Sequence, residues 1–321
     1  MKIVVTGGAG FLGSHLCSKL IELGHEVICV DNLITGSEDN IAHLKNNPNF
    51  KLLNHDVVNP LPEGMEALPA GRQVDQIYHL ASPASPNKNN PKSYISHPFE
   101  TMQVNSTGTW NLCEWAVKTG AKFLFASTSE VYGNPLEHPQ KETYHGNVST
   151  TGPRSVYDES KRFGETITSA FVRSKNLDGR IVRIFNTYGP RMADDGRVVI
   201  EFINAAMQGK PLPIFGDGKQ IRSFCYVADM VDGIIAAMEK GESGEIYNLG
   251  SPNEFTISEL AEKVKKATNS SSEIQNAGPL PEDDPKQRCP DIIKAKSKLG
   301  WEPEVNLEKG LKKLIESIRI K

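Results

Sequence analysis

The run Thr6-Gly7-Gly8-Ala9-Gly10-Phe11-Leu12-Gly13 limits the possible folds of this chain more than any other stretch. It sets glycines in the spacing GxxGxxG between a short β-branched run, Ile3–Thr6, and an apolar-periodic stretch through Phe11, Leu12, Leu16, Leu20 and Leu23 that Gly24 stops. In such a strand–turn–helix unit each glycine has its own task. Gly7 permits the tight turn, Gly10 lets a pyrophosphate approach bare backbone, and Gly13 lets the helix pack closely on the strand. The phosphates then face a helix N-terminus, where free amides and the helix dipole favour anions. A glycine-rich turn without a ligand is the plainer alternative; the position after an N-terminal strand favours a dinucleotide.

The rest of the first half repeats the alternation. Strand-like runs fall at Glu26–Val30, Phe50–Asn54, Gln76–Leu80, Phe123–Ser127 and Arg180–Phe185, and helices fit at about 101–119 and 155–174. This order predicts an α/β fold, a Rossmann-like doubly wound parallel sheet with helices on both faces. After Asn186 the pattern changes to short pieces, Leu212–Phe215, Ser223–Val227 and Ile246–Leu249, separated by helices and polar loops. We read residues 1–186 as a dinucleotide-binding domain that also carries the catalytic residues. Residues 187–321 form mainly a smaller C-terminal α/β substrate lobe, with the chain free to cross back between the two. The Pro- and Gly-rich stretch 59–74 reads as a surface insertion.

Asp31 ends the second strand-like run, where a carboxylate hydrogen-bonds the adenosine ribose and repels a 2′-phosphate. No arginine stands between Asp31 and Gly36 to accept that phosphate, so NAD is expected over NADP. Asp56, after Leu52-Leu53-Asn54-His55, either holds the adenine amino group or forms a turn.

A second constellation carries chemistry. Of the eight tyrosines, only Tyr157 has a lysine four positions on, Lys161, which puts the two on one helix face. A free phenol has a pKa of about 10 and is a poor base at neutral pH. A nearby ammonium and a positive nicotinamide ring would favour the phenolate. Ser127-Thr128-Ser129-Glu130 follows the apolar run Phe123-Leu124-Phe125-Ala126, so hydroxyls and a carboxylate sit at the carboxyl end of a central strand, where open α/β sheets bind ligands. Together these residues fit a hydride-transfer site; a capped strand end with a surface glutamate is the bland alternative.

Charge and composition exclude several classes. A net charge of −3 argues against a nucleic-acid footprint built on global basicity. No stretch approaches the roughly 20 apolar residues that cross a bilayer, so no membrane partner is expected. A strand-like run begins at once after Met1, leaving no room for a signal or transit peptide, and the expected location is cytoplasmic. Five scattered cysteines with no CxxC pair argue for reduced, packed thiols and against a zinc site.

With these residues in place, the chain resembles the extended short-chain dehydrogenase/reductases over nearly its whole length, and among them the UDP-glucuronate decarboxylases (UDP-xylose synthases). The pieces that carry the resemblance include His79-Leu80-Ala81-Ser82-Pro83-Ala84-Ser85-Pro86, Ser127–Gly133, Gly152-Pro153-Arg154 before Tyr157-Asp158-Glu159, and Ile184-Phe185-Asn186-Thr187-Tyr188-Gly189-Pro190-Arg191-Met192. Asp195-Gly196-Arg197-Val198-Val199, Gly216–Phe224 and Asp284-Pro285-Lys286-Gln287-Arg288-Cys289-Pro290-Asp291 continue it downstream.

The resemblance implies a redox-neutral, NAD-dependent decarboxylation of UDP-glucuronate to UDP-xylose through a transient 4-keto sugar. Tyr157 would take the 4-hydroxyl proton with Lys161 and Thr128 in support, and Glu130 would orient a water or help move the C5 proton. Ser129 takes the place of the aspartate that sugar 4,6-dehydratases use; a neutral serine does not repel a substrate carboxylate and can hydrogen-bond it. NAD would also meet Phe11, Leu12, Asn32, Gly36, Val57, Leu80 and Ser82. Asn186, Arg197, Gln220, Arg222 and Tyr226 would line the diphosphate and uridine pocket, and Arg288 would approach the sugar carboxylate, where a bidentate pair can form. Members often carry a lysine near the diphosphate where Gln103 stands here. A homodimer through the helices near 101–119 and 155–174 is implied as well. The competing readings are a nucleotide-sugar 4-epimerase or 4,6-dehydratase and, in another class, a non-catalytic NAD-binding sensor.

Overall fold

The computed structural model describes residues 1–60, 74–280 and 284–319; most of the expected insertion at 59–74 lies outside them. The strands β1 (Lys2–Thr6), β2 (Glu26–Asp31), β3 (Phe50–Asn54), β4 (Gln76–His79), β5 (Lys122–Thr128) and β6 (Gly179–Ile184) are joined by Ile246–Leu249 in one seven-stranded sheet. Its order is Ile246–Leu249, β6, β5, β4, β1, β2, β3, and every pairing is parallel. The strands sit within a residue or two of the ranges read from sequence, because runs buried on both faces announce themselves by composition alone.

Side chains alternate between two cores. Ile3, Val5, Val27, Cys29 and Leu124 point to one face, which α1 (Phe11–Glu22) and α6 (Val227–Lys240) cover. Val4, Ile28, Ile77, Phe123 and Phe125 point to the other. There α2 (Pro98–Gln103) runs through a π-helical turn, Val104–Gly108, into α3 (Thr109–Thr119), and α4 (Ser155–Lys175) packs beside it. The helix expected near 101–119 therefore starts earlier and carries a wide turn in its middle.

Two segments beyond residue 186 pack with the main sheet, as a chain free to cross back allows. Ile246–Leu249 completes the main sheet against β6, and α6 packs against α1 beneath it. The expected strand Ser223–Val227 is broken at Phe224 into Ile221–Ser223 and Cys225–Tyr226. The remaining C-terminal elements make small sheets above the carboxyl edge. Glu254–Thr256 and Gln287–Arg288 flank Ile221–Ser223, and Ile274–Gly278 pairs with Leu212–Phe215. Among them stand α5 (Val198–Met207), α7 (Ile257–Thr268) and α8 (Leu307–Arg319).

A buried polar cluster fixes the end of β5. Arg183 on β6 grips Glu165 of α4 through two bonds, Nε–Oε1 at 2.9 Å and Nη2–Oε2 at 2.7 Å. Ser127 donates to the same Glu165 Oε1 at 2.6 Å, and Tyr132, which receives Arg183 Nη1, donates to Asn248 Oδ1 at 2.7 Å. Charge-assisted bonds with every partner satisfied are rigid, and these tie helix and strands together directly behind Thr128. All five cysteines are free and buried. No helix of the described residues is long and apolar enough to cross a membrane.

Candidate active site

A cavity of about 1000 Å³ runs along the carboxyl ends of the strands, from the glycine loop to the small sheets of the second lobe. The order reverses between β1 and β4, and the topological switch point of an open sheet is where a ligand crevice opens.

At one end the glycine loop lies against bare backbone. Gly7 adopts φ +73°, and a Cβ there would sit 2.7 Å from Ala81 Cα. A Cβ on Gly13 would run into the Gly7 carbonyl, so α1 can approach β1 only with hydrogen at that position. Asp31 closes the loop from β2. Its Oδ2 accepts from the Ala9 N–H at 2.9 Å and its Oδ1 from the Leu33 N–H at 2.8 Å. Burial pushes the carboxyl up, against the pull of those two amides. Asn32 donates to Asp56 Oδ2 at 3.0 Å, while Asp56 Oδ1 accepts from the Val58 N–H. Gly10, Phe11, Leu12, Gly36, Val57, Leu80 and Ser82 line the same stretch. A bare-backbone cradle at a helix N-terminus with an oriented carboxylate beyond it fits an adenine dinucleotide.

Midway, β5 delivers Thr128, Ser129 and Glu130. Thr128 caps the turn Ser129–Tyr132, its Oγ1 accepting from the Glu130 N–H at 3.2 Å. Tyr157 stands in the first turn of α4 with its phenol near the Thr128 hydroxyl and its ring stacked on Tyr94, 4.8 Å apart and inclined by 4°. Burial, then the charge of Glu130, push the phenol pKa well up, so in the protein alone the group is protonated. Lys161 lies 5.8 Å from the Tyr157 ring centre and donates to the Ala126 carbonyl at 2.8 Å. Burial lowers its pKa to about 7. The ammonium is thus in place beside the phenol, but its bond is spent on backbone. The phenolate needs positive charge from a ligand.

Glu130 is the charge centre of the site. Its Oε1 accepts from Arg154 Nη2 at 2.8 Å and from Arg288 Nη1 at 3.3 Å. Burial opposes its ionisation, yet Arg154 and then Arg288 prevail and hold it below the usual carboxylate range. Arg154 also donates to Asp284 Oδ1 at 3.1 Å, and Arg222 to Asp284 Oδ2 at 2.8 Å. Three arginines and two carboxylates thus knit the helix start, the triplet and the second lobe together. Some groups here stay open: Arg288 Nε, Gln220 Oε1 and Glu130 Oε2 are buried with no hydrogen-bond partner in the structure.

The cavity brings together all but one of the residues expected from sequence. Asn186, Arg197, Gln220, Arg222 and Arg288 line its far end, Arg197 with its guanidinium 5.5 Å from the Phe11 ring centre. Tyr226 does not line it. It is the residue from which α6 starts, so its side chain turns away, edge-on to Tyr188 and beneath Lys313, and Phe224 takes the place expected of it. Sequence reasoning missed the roles of Arg154 and Asp284, although both stand within the motifs quoted for the resemblance. What their positions lacked was any periodic or spacing signal of burial.

Comparison with known proteins agrees with this geometry. A sequence model of the NAD dependent epimerase/dehydratase family matches residues 3–250. UDP-glucuronic acid decarboxylase 1 of Arabidopsis thaliana is 51% identical over 320 residues, which are 99% of this chain and 70% of that protein. The crystal structure of a UDP-glucose 4-epimerase from Thermotoga maritima with UDP-glucose superposes with a TM-score of 0.88 at 34% identity, covering 100% of this chain and 99% of that one. A UDP-glucuronic acid 4-epimerase mutant from Bacillus cereus, in complex with UDP-4-deoxy-4-fluoro-glucuronic acid and NAD, superposes with a TM-score of 0.87 at 29% identity and the same coverage.

Proposed function

Because the chain belongs to the NAD dependent epimerase/dehydratase family and groups there with the UDP-glucuronic acid decarboxylases, we propose that its cavity converts UDP-glucuronate to UDP-xylose and carbon dioxide. The enzyme is a carboxy-lyase, and its cofactor is NAD. Bound NAD supplies a reversible hydride acceptor for the sugar carbinol at C4 and a positive charge beside the phenol. Everything else falls to side chains of this chain. Tyr157 takes the proton of the 4-hydroxyl and later gives it back. The ketone formed at C4 lies β to the C6 carboxylate, so the bond electrons flow into it as carbon dioxide leaves. Thr128 and Tyr157 then hydrogen-bond the developing enolate oxygen, the role of an oxyanion site.

One observation separates this reaction from its relatives. Next to Glu130 the site sets the neutral Ser129, and Arg288 lines the same cavity with its Nε buried and unpartnered. Dehydration needs an acid at the serine position to expel a C6 hydroxyl. A serine and a guanidinium lining one cavity suit a C6 carboxylate instead. Incubation with UDP-glucuronate tests this by product mass: a pentose nucleotide supports it. A hexuronate epimer supports the 4-epimerase reading, and loss of water the 4,6-dehydratase one.

The roles of two side chains yield expected results. Arg288→Ala should weaken UDP-glucuronate binding about 30-fold or more, as losing a buried charged partner costs about 2 kcal/mol or more, while UDP binding hardly changes. Titration calorimetry with both ligands measures this, and equal weakening would move Arg288 to the diphosphate. For Asp31→Ser, the preference for NAD over NADP should narrow on the order of tenfold, or about 1.4 kcal/mol. An unchanged ratio of dissociation constants removes Asp31 from the ribose.

In this reading residues 1–186 with the returning segment 227–249 hold NAD, and the remaining C-terminal residues hold the UDP-sugar. The protein works as a homodimer in the cytoplasm, through α2, α3 and α4, where Phe99 (70% exposed), Trp110 (49%) and Phe163 (53%) offer apolar surface. Trp115 is core.

A further inference from the structure

Asp158, the residue after the tyrosine, is a buried acid that the reaction as written leaves without a task. It stands in the first turn of α4 behind Glu130 and does not line the cavity. An acid there is ordinarily an ion favoured by the helix dipole. Three observations speak against an ion. Its carboxyl and that of Glu130 are close enough to act strongly on one another, and two neighbouring carboxyl groups can share a hydrogen bond only if one keeps a proton. Asp158 Oδ1 and Glu130 Oε2 are both buried, and no donor of the structure reaches either. Finally, Arg154 and Arg288 both bond Glu130 through Oε1, so the negative charge is drawn to Glu130 and the proton is left to Asp158. Burial and the charge of Glu130 accordingly raise the Asp158 pKa far above the carboxylate range.

We propose that Glu130 and Asp158 form a one-proton pair, with Asp158 the store from which the proton for C5 of the sugar is drawn. This rests on the decarboxylation reading and deepens it. The bookkeeping of atoms closes. The proton of the 4-hydroxyl shuttles to Tyr157 and back and is not available to carbon. Carbon dioxide leaves without a proton, so the enolate needs one at C5. Asp158 passes its proton to Glu130 Oε2, the Glu130 carboxyl, which lines the cavity, turns to deliver it to C5, and a C–H bond replaces the broken C–C bond. The pair is then briefly a dianion, tolerated beside the guanidinium groups of Arg154 and Arg288. One proton from solvent reloads it, matching the single proton the overall reaction consumes. Asp158 acts through Glu130 and is a positioning and proton-storing residue. Its location fixes the direction of delivery: the proton reaches C5 from the Glu130 side only.

The test uses Asp158→Asn in the intact enzyme. Asparagine keeps the size and can still donate to Glu130, but it has no acid proton to give. We expect NAD content and the KM for UDP-glucuronate to stay near wild type while kcat falls about 10²-fold, the range of general acid catalysis. Run in D2O, the wild-type enzyme should place one deuterium at a single prochiral position of C5 in the pentose; in the variant the label should spread over both. Asp158→Glu, which restores an acid, should recover single-face labelling and part of kcat. Wild-type turnover in Asp158→Asn overturns the proposal. So does a loss of kcat with labelling still confined to one face, since that is what a purely structural role produces. If Asp158→Asn fails to fold, Asp158→Glu decides alone: labelling on both faces overturns the proposal. Absence of carbon dioxide from the wild-type enzyme would instead sink the decarboxylation reading itself.

Discussion

Replacing Tyr157 with phenylalanine is expected to reduce turnover of UDP-glucuronate about 10³-fold, within the range that a positioned acid–base group contributes, and to leave NAD bound. The ring is held by its stack on Tyr94 and by its place in the first turn of α4, and phenylalanine keeps both. Only the hydroxyl, near that of Thr128, is lost. The glycine loop and Asp31, the proposed dinucleotide cradle, lie at the other end of the cavity and are untouched. Steady-state kcat and the NAD released on denaturation measure the two halves of the expectation. A variant that turns over within about tenfold of wild type, far less than the loss of such a group implies, removes Tyr157 from the proton transfer. If NAD is lost as well, binding and chemistry are not separable as described.

Arg154→Met should have the largest effect on stability and a severe one on rate. Arg154 is buried and bridges Glu130 and Asp284 at 2.8 and 3.1 Å. Removing one partner of a buried ion pair costs about 3–5 kcal/mol because the other charge stays behind. In a domain of this size that corresponds to a fall in Tm of about 10 °C. The sign of the pH dependence follows. In the wild type Glu130 is held below its ordinary pKa, so it contributes stability above that value and loses it as pH falls toward about 2. In the variant burial gains the upper hand and the pKa rises, so stability is lost as pH climbs. The Tm gap between variant and wild type should therefore widen from pH 4 to pH 8, taking about 4.3 as the ordinary carboxyl value. Turnover at neutral pH should drop about 10²-fold as Glu130 takes up a proton and the one-proton pair is lost. Scanning calorimetry at the two pH values reads the gap; a gap independent of pH means that Glu130 does not depend on Arg154 for its charge.

The sequence made the cofactor half of this enzyme legible for local reasons. A strand buried on both faces, a glycine that must lack a Cβ and a carboxylate at the end of β2 each leave a mark within a few residues. Thr128, Ser129, Glu130, Tyr157 and Lys161 stood out as candidates because they follow a buried run or share one helix face, and the structure brings them to one cavity. What stayed hidden depends on segments far apart in the chain. Arg154 looks like a surface arginine until the 284–288 segment packs against it. Asp158 looks like an ordinary helix-start acid until Glu130 closes on it. Ile246–Leu249 has the composition of any short strand, and only pairing with β6 places it in the main sheet. Tyr226, expected in the pocket from the resemblance, stands outside the cavity because the chain breaks at Phe224 and starts a helix from Tyr226.

The central claim is that the sugar is oxidised only long enough for its acid group to depart. The most direct measurement is carbon-13 NMR on the enzyme given UDP-glucuronate labelled at C6. The account predicts that the label leaves the nucleotide sugar and collects as carbon dioxide and bicarbonate, with UDP-xylose formed in equal amount and no net NADH. Label retained in a six-carbon nucleotide sugar would contradict it.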